Sequence, residues 1–195
     1  MELQRSGLVE EAARIVCEEL VVDLRAAKLK AAERLGLPPR TPLPDNARVQ
    51  QAALEYLQLF GGEEYRARLA AMRRLAIRLM RHLAPFQPRL VGGAVSGVVT
   101  RAHRLQLHLF ADQAENLDVF LIEQGIAFEQ GERDYRYADG GQEAVPLARL
   151  ELDGLGVDLA VFPAEDLRRA PINPSDGQAY RRLDLAAAEK LLATG

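Results

Sequence analysis

Hydrophobic positions recur at spacings of three and four over the first third of the chain. Val9, Ala13, Val16, Leu20, Leu24, Ala27, Ala31 and Leu35 mark one apolar stripe, which predicts one long amphipathic helix. Cys17 borders the stripe and reads as a small core residue. Gly36 stops the helix, and the four prolines between Pro38 and Pro44 make a stiff linker. Asp45 is placed to cap a second helix with Val49, Ala53, Tyr56 and Phe60 on its inner face, ended by Gly61-Gly62. A third helix is predicted from about Glu63 to Leu83, with Leu69, Met72, Ala76, Leu79 and Leu83 inward. Pro85 and Pro88 close it.

After Pro88 the period changes. Leu90-Val91 and Val95–Val99 flank a glycine-rich turn. Leu105, Leu107 and Leu109 then alternate with Gln106 and His108, the period-two pattern of a strand. Asp112 with Glu115 three residues on predicts a capping box for a helix carrying Leu117, Phe120 and Leu121 inward and ending at Gly125. Ile126–Phe128 and Tyr135–Tyr137 read as strands, the latter running into Asp139-Gly140-Gly141. Leu147–Leu152 and Gly156–Phe162, joined by Asp153-Gly154-Leu155, give a strong hairpin signal. Leu183–Ala193 is a last helix. The pattern as a whole predicts an α+β protein: a helical region over 1–87, then a mixed sheet of about five strands with flanking helices over 88–195.

Composition sharpens this picture in three ways. The chain has 195 residues with 48% hydrophobic and 27% charged positions, which excludes a disordered or collagen-like chain. Its net charge of −3 is divided unevenly: 15 Lys/Arg against 11 Asp/Glu up to residue 89 (+4), then 10 against 17 (−7). That balance argues against a nucleic-acid partner. One cysteine allows no intrachain disulfide, the N-terminus has no signal-peptide character, and no apolar run spans a bilayer, so a cytoplasmic protein without a membrane partner is expected.

Most catalytic signatures are absent. The sequence has no Walker phosphate loop, no GxGxxG after a strand and no nucleophile elbow around Ser96. His82, His103 and His108 lack zinc-ligand spacing. Arg74, Arg78 and Arg81 share a helix face, with Arg66 and Arg73 near; they read either as a solvated face or as a phosphate or RNA contact. The turn-rich stretch Ala170–Gly177 leads to Tyr180-Arg181-Arg182, either a connecting loop or arginines that reach a ligand phosphate.

One constellation carries chemistry. Leu90-Val91-Gly92-Gly93-Ala94-Val95-Ser96-Gly97 precedes the alternating strand, and a later strand bears a lone acid in Val157-Asp158-Leu159. This resembles the nucleotidyltransferase superfamily of DNA polymerase beta in its small bacterial form, over roughly residues 88–163. The resemblance implies a glycine turn whose amides cradle a nucleoside triphosphate and three strand carboxylates that hold Mg²⁺. Carried over, Gly92, Gly93, Ser96 and Gly97, with Arg104, bind phosphate, and Asp158 is the third carboxylate and metal ligand. The family's first two acid positions fall on Arg104 and Gln106, or on Gln106 and His108 when slid by two residues. In an active version Asp158, Gln106 and His108 form the catalytic set, and an arginine among Arg101, Arg104 and Arg136 replaces lost metal charge. The alternative implied by the missing acids is a pseudoenzyme acting through protein contacts, with its helical platform forming a homodimer.

Overall fold

In the computed structural model, which describes residues 2–194 and side chains from Ser6 onward, the chain is α+β. Among the described residues no helix is long and apolar enough to cross a membrane. Two compact units are present, and neither is one continuous segment. The first holds the chain up to Arg68 with Gly97–His103 and Asn173–Gln178. The second holds Leu69–Ser96, Arg104–Ile172 and the chain from Ala179.

The first unit is built from α1 (Glu2–Glu18), α2 (Leu24–Arg34), α3 (Asn46–Phe60) and the opening turns of α4 (Gly62–His82). The apolar stripe expected to form one helix is divided between α1 and α2. Leu20 adopts a left-handed φ of 59°, and the Asp23 carboxylate accepts from the backbone N–H of Arg25 (2.7 Å) and Ala26 (3.0 Å). A cap in mid-pattern starts a new helix, so the chain turns back and α1 packs on both α2 and α3. Ala13, Val16, Leu24, Ala27 and Ala31 of the stripe are in the core with Val49, Ala53 and Leu57, but Leu20 and Leu35 are exposed at the helix ends, and Leu8, Ala12 and Ile15, outside the expected stripe, complete the buried face of α1. The proline linker is pinned by Lys28, whose Nζ donates to the Pro44 carbonyl (2.9 Å) and Asn46 Oδ1 (2.6 Å), while Asn46 Nδ2 donates to the Pro174 carbonyl (2.5 Å).

In the second unit, α4 buries Met72, Leu75, Ala76, Leu79 and Met80. The five-stranded sheet has the order β1 (Arg89–Val91), β2 (Leu105–Phe110), β5 (Leu155–Phe162), β4 (Gln142–Leu152), β3 (Glu129–Arg136). Only the central pair β2–β5 is parallel. Asp153 and Gly154, with φ of 53° and 73°, form the tight turn of the β4–β5 hairpin that the sequence signals.

Three expectations need correction. Residues 93–96 form a short helix, α5, which takes Val95 and Ser96 out of the segment expected to flank the glycine turn. Helix α6 (Glu115–Glu123) starts after Ala114 with no side-chain cap, so Asp112 and Glu115 make no capping box. The third strand begins at Glu129, past Ile126–Phe128. It is an edge strand paired on one side only, and its outward Glu132, Asp134 and Arg136 give it a polar composition that hides it. The final helix is α7 (Leu185–Thr194).

Candidate functional site

Strand register brings the sequence-predicted residues of the second unit together. Gln106 lies opposite Asp158 across β2–β5, and Asp158 lies opposite Arg149 across β5–β4. Register partners share a sheet face, so Gln106, Asp158 and Arg149 form a row. Gly92, at the end of β1, closes the row. Its φ is +72°, and a Cβ there would sit 2.8 Å from Gln106 Oε1, so a side chain at this position meets both backbone strain and the Gln106 amide.

Asp158 is the centre of the row and only 3% exposed. Its Oδ1 accepts from Arg104 Nε (2.7 Å), and its Oδ2 accepts from Arg133 Nη2 (2.5 Å). Both carboxylate oxygens are therefore held by guanidinium groups. Arg104 reaches further. Nη1 pairs with Glu151 (2.6 Å), and Nη2 donates to the carbonyls of Leu150 (2.9 Å) and Val157 (3.2 Å). Gly156 lets this happen, because a Cβ there would run into the Arg104 guanidinium. Burial works against the Arg104 charge, but its hydrogen bonds to Asp158 and Glu151 outweigh that and hold its pKa above the usual arginine value. Arg104 thus ties the start of β2 to the β4–β5 hairpin, and its donors are engaged by protein acceptors.

Magnesium takes hard oxygen ligands in a net-negative setting. The row offers a neutral amide, a carboxylate with both oxygens engaged, and arginines on either side of it. This donor set fits a divalent cation poorly.

The glycine turn divides. Gly93–Ser96 form α5, and the Gly92 carbonyl accepts from the N–H of Val95 (3.0 Å) and Ser96 (3.1 Å), which closes two of its amides inside the turn. Ser96 Oγ donates to the Gly93 carbonyl (3.4 Å). Gly97 belongs to the first unit. There its φ is +87°, its carbonyl accepts from the Tyr65 hydroxyl (2.9 Å), and a Cβ would strike Leu54. Arg101 also lies in that unit, paired with Glu64, and Arg136 is exposed on the face of β3 opposite Arg133.

His108 shares a strand face with Gln106 but not its surroundings. It is 1% exposed and surrounded by Phe162 (ring centroids 4.5 Å), Tyr180 (4.9 Å) and Tyr135 (5.4 Å). Burial, and then the charges of Arg182 and Arg133, keep its pKa well below the ordinary imidazole value, so it is neutral. His103 is also neutral, its pKa pushed down to about 4 by burial and the charge of Arg68. Cys17 packs against the Ala53 carbonyl, and burial and Glu18 push its thiol up to about 12, which makes it inert.

Sequence reasoning missed Arg133 and Arg149. Arg133 sits at a period-two position with Tyr135 inside the strand that polar composition concealed. Arg149 was visible only as a charge in a hairpin strand. No protein-family model matches the chain, and comparison with curated proteins gives no match.

Proposed function

We propose that the second unit is a nucleotidyltransferase-like domain that binds a nucleoside triphosphate and uses arginines where that superfamily uses Mg²⁺. The observation that carries this reading is the Asp158 carboxylate gripped by Arg104 and Arg133 in one row with Gly92 and Gln106. The sheet supports it too. A glycine turn, strand β2, helix α6 and a late hairpin carrying the lone acid next to β2 follow the order the resemblance implies.

With Arg104 and Arg133 both committed to Asp158, Arg149 is the cation of the row left for phosphate: it is exposed and makes no ion pair among the described residues. Such a domain recognises a nucleotide through fixed positive charge and does not need to move a nucleotidyl group.

Thermal unfolding against ATP, GTP, CTP and UTP, each with Mg²⁺, Mn²⁺ or EDTA, tests the reading. A nucleotide at about 100 times its Kd stabilises by roughly 2.7 kcal/mol, a rise of roughly 5 °C or more for a chain of this size. The expected result is a rise with one nucleotide that persists in EDTA. A rise that needs the metal overturns the arginine substitution. No rise with any nucleotide transfers the reading to a protein-contact module, whose most exposed apolar residues are Leu59 and Phe60 at the end of α3 (75% and 70% exposed).

A further inference from the structure

A cavity of about 310 Å³ opens in the first unit, between the ends of α1 and α3, the first turns of α4 and the segment 97–103. Every residue that lines it belongs to that unit, and none belongs to the Asp158 row. Ligand cavities begin at roughly 300 Å³, so this one has room for a small molecule. Leu20, Leu57, Tyr65 and Val99 make its apolar wall. Leu20 is held at a left-handed φ of 59°, a backbone that glycine adopts more easily. The leucine instead brings an apolar side chain to the cavity, and that residue is 41% exposed.

The polar wall carries one cation more than its carboxylates answer. Glu64 pairs with Arg101 (2.6 Å), and Glu18 pairs with Arg14 (2.7 Å). Arg68 lines the same cavity and makes no ion pair among the described residues. Its Nε donates to the Thr100 carbonyl (2.9 Å), and its Nη2 donates to the carbonyls of Arg101 (3.1 Å) and His103 (3.4 Å). These three carbonyls fix the guanidinium against Thr100 and Arg101, which are themselves part of the cavity wall. Nη1 has no acceptor among the described residues and is not sealed in the interior. Arg68 is half-buried, so its charge is partly stripped of water, and that charge helps to keep His103 neutral. A rigidly held guanidinium with a donor to spare is suited to a carboxylate supplied from outside.

We propose that the first unit binds a small amphiphilic anion in this cavity, a monocarboxylate whose head pairs with Arg68 and whose hydrocarbon body covers Leu20, Leu57 and Val99. A cationic ligand of the same shape leaves Arg68 unanswered, and a bare inorganic anion leaves the apolar wall in water. The site does not depend on nucleotide binding by the second unit.

Calorimetric titration of the full chain with sodium octanoate and with octylammonium chloride tests the site, using wild type, Arg68→Met and Arg48→Gln. Arg48 is exposed on α3 and does not line the cavity. Octanoate is expected to bind wild type and Arg48→Gln alike. It is expected to bind Arg68→Met about tenfold more weakly, the loss of one charge-assisted hydrogen bond. Octylammonium is expected to bind wild type more weakly than octanoate does. Absence of octanoate binding by wild type overturns the proposal. Octanoate binding that survives Arg68→Met unchanged overturns it too, and so does octylammonium binding as tight as that of octanoate. If Arg68→Met does not fold, Leu20→Glu against Leu20→Lys decides, because both lose the same apolar contact and leave the bonds of Arg68 intact. Tighter octanoate binding by the lysine variant supports the site, and equal binding overturns it.

Discussion

At the scale of single residues, Asp158 is held from two sides, and that sets the cost of changing it. Asp158→Asn removes the charge that Arg104 and Arg133 share while keeping the side-chain shape. Breaking a buried ion pair from one side costs about 3–5 kcal/mol. Both arginines keep about a third of their side chains in water, so a loss of about 3 kcal/mol is expected in urea unfolding. A loss below 1 kcal/mol would show that the network contributes little. His103 sets a second expectation. Thr100 N–H donates to its Nδ1 (3.2 Å), and its folded pKa is about 4 against an ordinary 6.5. Between those values the unfolded chain binds the extra proton, so stability is complete above pH 6.5 and falls as pH drops toward 4. His108, shifted the same way, adds to the slope. Each contributes up to about 1.4 kcal/mol per pH unit. His103→Asn should flatten the fall in chemical denaturation between pH 6.5 and 4, and an identical slope would remove His103 from the account.

At the scale of elements, the hydrophobic pattern was a good guide wherever an element carries its own core face. Strand β2, the β4–β5 hairpin and α4 stand where the alternations place them, because their apolar positions and their turns agree; α3 has the expected span, but Phe60 faces water, Leu57 takes its place in the core, and Asp45 makes no side-chain cap. The failures share a cause. The α1–α2 stripe keeps its period across the break, and only Asp23 marks the new start. Strand β3 hides because its pairing partner, not its composition, makes it a strand. The same limit applied to the site. Gly92, Gln106 and Asp158 were legible as a set only through the resemblance, which links a glycine turn, the strand after it and an acid on a later strand. Arg133 was not, because its meeting with Asp158 depends on the register of two strand pairs. The cap is testable: Asp23→Ala should cost about 1 kcal/mol and lower the midpoint of thermal unfolding followed at 222 nm. An unchanged midpoint would mean that core packing alone separates α1 from α2.

At the scale of the molecule, the units cut across the sequence. A division at residue 87 follows the change of hydrophobic period, but the sheet-bearing unit also takes Leu69 onward. A fragment covering 88–195 therefore lacks the buried Met72, Leu75, Ala76, Leu79 and Met80 of its own core. It should show no dispersed amide spectrum and no cooperative unfolding, whereas a well-dispersed spectrum would establish that the sheet is stable without α4.

The hydrogen bond from Asn46 to the Pro174 carbonyl joins residues 128 apart in sequence. During synthesis its donor leaves the ribosome early and waits for its acceptor until nearly the whole chain has been made. The helical unit, although encoded first, is thus completed only when residues 173–178 are made, shortly before the antiparallel bridge that brings Leu183 to Leu90. A nascent chain halted before residue 173 holds a helical unit with one piece missing, open to chaperones and proteases for most of its translation.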